Sequence, residues 1–144
     1  MREASEAADR PGLAEALCGL AQAERDIGNL PAASHQYSNA AVLYRELGWP
    51  ERLAYALRHE ADVLRQENKA AEAEPLFREA EKIYRQLGES NALDLANTLR
   101  GLALVNESAG KVDAAKAFWQ EASELYAKCN VKDGVEECGK RLAL

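Results

Sequence analysis

The residues able to do chemistry are few and scattered. Cys18, Cys129 and Cys138 are an odd number at irregular spacing with no Cys-x-x-Cys pair. They predict reduced thiols in a cytoplasmic protein, with Cys129 and Cys138 as small core residues rather than a redox pair. His35 and His59 lie 24 residues apart and form no His-Glu-x-x-His face, so no zinc site is expected. Ala109-Gly110-Lys111-Val112 lacks the upstream glycine and the Ser/Thr of a phosphate-binding loop, and no Gly-x-Ser-x-Gly is present. The expectation is a chain with no metal, no cofactor and no catalytic centre, hence not an enzyme. With 24 acidic and 18 basic residues the net charge is −6, which argues against nucleic acid or an anionic membrane as partner. No apolar run is long enough for a membrane span. The charged start, Met1-Arg2-Glu3-Ala4-Ser5-Glu6, has no apolar core of a signal peptide.

The composition says what holds these side chains. Ala and Leu supply 47 of 144 residues, and Val, Ile and Thr together supply 9. The first pair are strong helix formers and the β-branched residues are not, so the class is all-α.

The helices recur. Leu13-Ala14-Glu15-Ala16-Leu17 reappears as Leu53-Ala54-Tyr55-Ala56-Leu57, 40 residues on, and as Leu95-Ala96-Asn97-Thr98-Leu99, 42 further. The same offsets carry Ala21 to Ala61 and Ala103, and Gly28 to Asn68 and Gly110. They carry Ala33 to Ala73 and Ala115, Tyr37 to Phe77 and Trp119, and Ala40 to Ala80 and Ala122. Tyr44, Tyr84 and Tyr126 follow, then Leu47, Leu87 and Cys129. Each unit reads as two helices with apolar residues at helical spacing. A residue tolerant of the left-handed conformation closes the first helix. First helices are expected near 12–28, 51–67 and 91–109, second helices near 30–47, 70–87 and 112–129, and a last helix near 133–143. Pro75 falls early in a second helix, which predicts a late start or a bend there.

These positions resemble the tetratricopeptide repeat: a large apolar residue, Leu-Ala, a loop Gly, then Ala, an aromatic and Ala at set spacings. Leu17, Leu20-Ala21, Gly28, Ala33, Tyr37 and Ala40 carry the pattern in the first unit. Leu57, Ala61, Asn68, Ala73, Phe77 and Ala80 carry it in the second, and Leu99, Leu102-Ala103, Gly110, Ala115, Trp119 and Ala122 in the third. Three departures stand out. Arg45, Arg85 and Ala127 occupy the place of the family proline. Glu60 replaces a Leu, which suggests a partly exposed or paired position. The 40–42-residue period is similar to the long repeats of kinesin light chains.

The resemblance implies a right-handed superhelical α-solenoid whose first helices line a concave, non-catalytic protein- or peptide-binding face. Carried over, that face holds Glu15, Cys18, Gln22 and Arg25, then Tyr55, Arg58, His59, Asp62 and Arg65, then Asn97, Arg100, Leu104 and Glu107. Arg58 and Arg100 hold the same place in neighbouring units. They either grip a partner's carboxylate together or sit solvated against a neighbouring Glu. The tail-binding set of chaperone-associated members is not matched, since Cys18, Gln22 and Gly101 stand where it wants Lys, Asn and Arg. His59, if it faces the groove, is expected to protonate near pH 6 and strengthen anion binding.

One domain is expected: residues 1–10 as part of a preceding helix, repeats at 13–52, 53–94 and 95–130, and a capping helix at 131–144. Residues 1–7 align with 41–47, so the chain reads either as a fragment of a longer array or as one with a short N-terminal cap. The alternative function is a structural or self-associating module, a homodimer through its open N-terminal repeat face.

Overall fold

The computed structural model describes the backbone of residues 2–144 and side chains from residue 9 onward. Seven α-helices follow one another: α1 (Arg2–Asp26), α2 (Leu30–Leu47), α3 (Pro50–Gln66), α4 (Ala70–Leu87), α5 (Ala92–Ser108), α6 (Val112–Lys128) and α7 (Lys132–Leu142). A 3-10 turn, Glu89–Asn91, precedes α5, and no strand occurs among the described residues. Each helix packs chiefly on the one before and the one after it, which makes the molecule a solenoid.

Five of the six junctions close alike. The chain turns through a left-handed residue, at Gly28 (φ 84°), Gly48 (φ 70°), Asn68 (φ 64°), Gly110 (φ 77°) and Asn130 (φ 59°). That residue donates its N–H three residues back and the next donates five back, as in Gly28 to Arg25 and Asn29 to Glu24. These paired bonds satisfy carbonyls that a helix end leaves open. Gly88 departs, with φ 90° and ψ −162°, and leads into the 3-10 turn.

The recurring residues are the core. Ala21, Ala61 and Ala103, Ala33 and Ala73, and Ala40, Ala80 and Ala122 are wholly buried, as are Tyr37, Phe77, Trp119 and Cys138. Small Ala lets helix axes approach, and the ring fills the space between pairs. Each ring meets one register position of the following first helix. His59 stacks on Tyr37 with centroids 5.4 Å apart. Gly101 lies under Phe77, where a Cβ would overlap the ring. Arg141 lies over Trp119, 5.7 Å from its centroid.

The residues in place of the family proline act between repeats. Arg45 forks onto Glu79 of α4 (2.7 and 3.1 Å) and Arg85 onto Glu121 of α6 (2.7 and 2.8 Å). Planar guanidinium–carboxylate pairs of this kind fix the spacing of successive second helices. The equivalent position in the third repeat is Ala127, which has no group to form such a pair.

One expectation is corrected. Residues 2–10 form no separate preceding helix, for α1 runs unbroken through Pro11. No left-handed residue precedes Pro11 as Gly48 precedes Pro50, so nothing reverses the chain there. Met1 and the side chains of residues 2–8 lie outside the described residues. Of the two outcomes expected at Pro75, a late start is not found: α4 begins at Ala70 with Pro75 inside it. The missing N–H leaves only the Ala71 carbonyl without its helical donor, in the exposed second turn.

Candidate functional site

Helix α3 touches α5 directly, Arg25 of α1 reaches Gln66 and His59 of α3, and Arg100 of α5 reaches Glu137 of α7, so the four helices form a row. Along this row the polar side chains of the first helices meet. The arrangement follows from burial: α3 and α5 each give their apolar stripe to the two second helices beside them, and the remaining face must carry what is polar.

The centre is on α3. Arg58 and Arg65 flank Asp62, each 3.7 Å from it, and the Arg58 and Asp62 side chains are both only 12% exposed. Burial pushes the Asp62 carboxyl up, opposed by the two guanidinium groups. Arg58 Nε, Arg65 Nε and Asp62 Oδ1 are buried and make no hydrogen bond within the chain. Arg25 crosses from α1, its Nε donating to Gln66 Oε1 at 3.2 Å.

His59 sits between the arginines. Its Nδ1 is 3.5 Å from Arg25 Nη1 and its Nε2 is 3.2 Å from Arg58 Nη2. Tyr37 stacks on one side, and Tyr55 lies 4.3 Å away, tilted. Burial, then Arg58 and Arg25, push its pKa down to about 3. His59 is therefore neutral at pH 6, which corrects the expectation that it would add positive charge there. A neutral imidazole has a single acceptor nitrogen. Two guanidinium groups compete for it, so one N–H is left over.

Arg100 does not join Arg58 in an open pair. It forks onto Glu137 of α7, at 2.6 and 3.0 Å. The Glu137 bonds hold its guanidinium above the usual arginine range, and Arg100 holds the Glu137 carboxyl below the usual carboxylate range. Of the two readings of Arg58 and Arg100, pairing within the chain is the one observed. The expectation that both side chains face solvent is corrected for Arg58, 12% exposed, while Arg100 keeps 36% of its side chain exposed.

The ends of the row are tied to the core. Gln22 accepts from the Tyr37 hydroxyl at 3.4 Å and donates to Asp26 at 2.8 Å, and Asn97 accepts from Tyr126 at 2.7 Å. Glu107 accepts from Trp119 Nε1 at 2.8 Å and from Arg141 at 3.0 Å. The structure thus brings together Arg25, Tyr55, Arg58, His59, Asp62 and Arg65, and sets Gln22, Asn97 and Arg100 apart in bonds of their own. Gln66, Glu137 and Arg141 complete the row without having been expected. Carrying the repeat offset into α7 aligns Arg141 with Gly101 and would have placed it against Trp119.

The tetratricopeptide repeat pattern matches residues 52–128, more than half of the sequence, and the chain belongs to that family. Comparison with curated proteins gave no match. Among solved structures the fold is similar to the crystal structure of BtubC (BKLC) from P. vanneervenii, a kinesin light chain-like repeat protein. The identity is 19% and the TM-score 0.73, over 94% of this chain and 63% of that one. The chain thus spans under two thirds of that protein's length.

Proposed function

We propose that the chain is a non-catalytic binding module that holds an extended acidic segment of a partner protein along α1, α3 and α5. The carrying observation is the cluster of three arginines at its centre. Arg58 and Arg65 flank one buried carboxylate, and Arg25 meets only a neutral imidazole and Gln66. One carboxylate offsets part of three positive charges, and a partner's acidic group adds charge-assisted bonds to those guanidinium ends that it can reach. Tyr55 beside them offers a rigid aromatic surface of the kind enriched at binding hot spots.

The test is fluorescence polarisation with a short acidic peptide, against Arg25→Ala/Arg65→Ala. Two charge-assisted bonds lost weaken binding by about tenfold or more, and salt weakens the wild type. Helicity by circular dichroism reports that the variant is folded. Equal binding of a neutral peptide, or unchanged affinity in the folded variant, would refute the reading.

One observation favours a second reading, self-association through α1. Leu13 (51% exposed), Leu20 (45%) and Ile27 (80%) form one stripe. The counterparts of Leu13 (Leu53, Leu95) and of Leu20 in the third repeat (Leu102) are buried, in first helices that pack on the second helix before them. In this chain α2, α4 and α6 are each already seated on α3, α5 and α7, while α7 carries a largely charged outer surface. We infer that a second copy covers the stripe, α1 against α1 about a two-fold axis. Sedimentation velocity should find a dimer that Leu20→Glu dissociates. A monomer at every attainable concentration would refute it.

A further inference from the structure

One helix junction is built differently from its equivalent. Between α2 and α3 the chain passes Gly48-Trp49-Pro50, and the Trp49 indole stacks on Tyr44, centroids 6.2 Å apart and planes 22° apart. Between α4 and α5 the path from Gly88 to Leu95 is two residues longer than that from Gly48 to Leu53. Neither counterpart of Trp49 carries a ring. Counted from the glycine it is Glu89. Counted back from the leucine it is Asn91, whose amide is turned to Glu51 and Asp94 at 3.5 and 3.2 Å. On the α6 wall, Cys129 stands where the preceding repeat has Leu87. Both differences remove apolar volume from one corner.

A cavity of about 630 Å³ lies in that corner, lined by Tyr84, Ala92, Leu95, Leu125 and Cys129, with Lys128 at its mouth. The volume lies within the span of small-molecule sites. Arg85, also at the mouth, is held by Glu81 and Glu121. Lys128 has no ion-pair partner among the described residues.

We propose that this corner of α4, α5 and α6 binds one planar aromatic ring of indole size. The occupant is argued from the chain itself. The first junction seats an indole beside the equivalent tyrosine, and the second has an apolar wall and no ring of its own. Lys128, on the same lining, supplies a cation of the kind attracted to a ring face. The ring comes either from a free small molecule or from a side chain of a partner segment, and its site is separate from the row formed by α1, α3 and α5.

The test is a titration with indole followed by amide ¹H–¹⁵N spectra of the whole chain. Saturable shifts are expected at Tyr84, Ala92, Leu125 and Cys129, with a Kd of about 1 mM or tighter for a ligand this small. In Cys129→Leu, which restores the wall of the preceding repeat, binding should weaken by about tenfold, as a buried side chain then fills the space. A parallel titration with N-acetyl-tryptophanamide separates the sources. Binding of both fits a partner's side chain, and binding of indole alone fits a free small molecule. Absence of shifts with either probe overturns the proposal, as does undiminished binding in a folded Cys129→Leu.

Discussion

Glu60 holds a position that is leucine in the other two repeats, and it has no charged partner among the described residues. Burial alone pushes its carboxyl up to about 7 from an ordinary 4.5. The folded state therefore favours its protonated form. Its contribution to stability is fully present below about pH 4.5 and is lost as pH rises to about 7. Glu60→Leu should raise the melting temperature at pH 8 and flatten its decline across that window. An unchanged slope would show Glu60 to be solvated. His59 gives the opposite sign. Its folded pKa is depressed to about 3, so its contribution is present above pH 6.5 and lost as pH falls toward 3. His59→Gln should be less acid-sensitive than wild type in thermal melts between those limits, and equal sensitivity would count against a buried, neutral ring. The sequence marked Glu60 as a departure from the repeat and placed His59 on the first-helix face, but could not assign their environments. His59 is buried because Tyr37, 22 residues earlier, stacks on it. That contact depends on how two helices cross, which side-chain type does not encode.

At the scale of the element, spacing predicted most of what was found. The second helices at 30–47 and 70–87 have the expected ends, because Gly28, Asn68 and Gly48 punctuate them locally. The end that was missed, the start of α1, lies where punctuation is weak, for no left-handed residue stands before Pro11. The start of α5 falls within a residue of expectation, but the 3-10 turn before it is a feature that no periodicity signals. Gly101 tests the close packing of α4 on α5. On helix propensity alone, Gly101→Ala would stabilise by about 0.5–1 kcal/mol. Its Cβ would overlap the buried Phe77 ring, and overpacking costs about 1–3 kcal/mol. The second effect is larger, so urea titration should show a net loss. A gain would mean that α5 moves away from Phe77 at little cost.

Over the whole molecule, stability is a sum of neighbouring contacts, with the second repeat at the centre. Phe77→Ala removes a wholly buried ring and should cost about 3–5 kcal/mol. That is a large share of the roughly 5–15 kcal/mol of an ordinary domain. Denaturant titration should show the entire chain destabilised, and a loss below about 1 kcal/mol would contradict this packing. The polar row was legible only by half. Its arginines could be placed on first helices from the repeat, but Glu137 captures Arg100 from α7, across the turn of the superhelix. That capture shifts the centre of the proposed site from the Arg58–Arg100 pair to Arg25, Arg58 and Arg65. The most direct test of a binding face made of first helices is an amide-shift map of the chain titrated with an acidic peptide. The expected map is centred on Arg25, Tyr55, Arg58 and Arg65 and fades toward α7. Shifts confined to the outer second helices α2, α4 and α6 would contradict it.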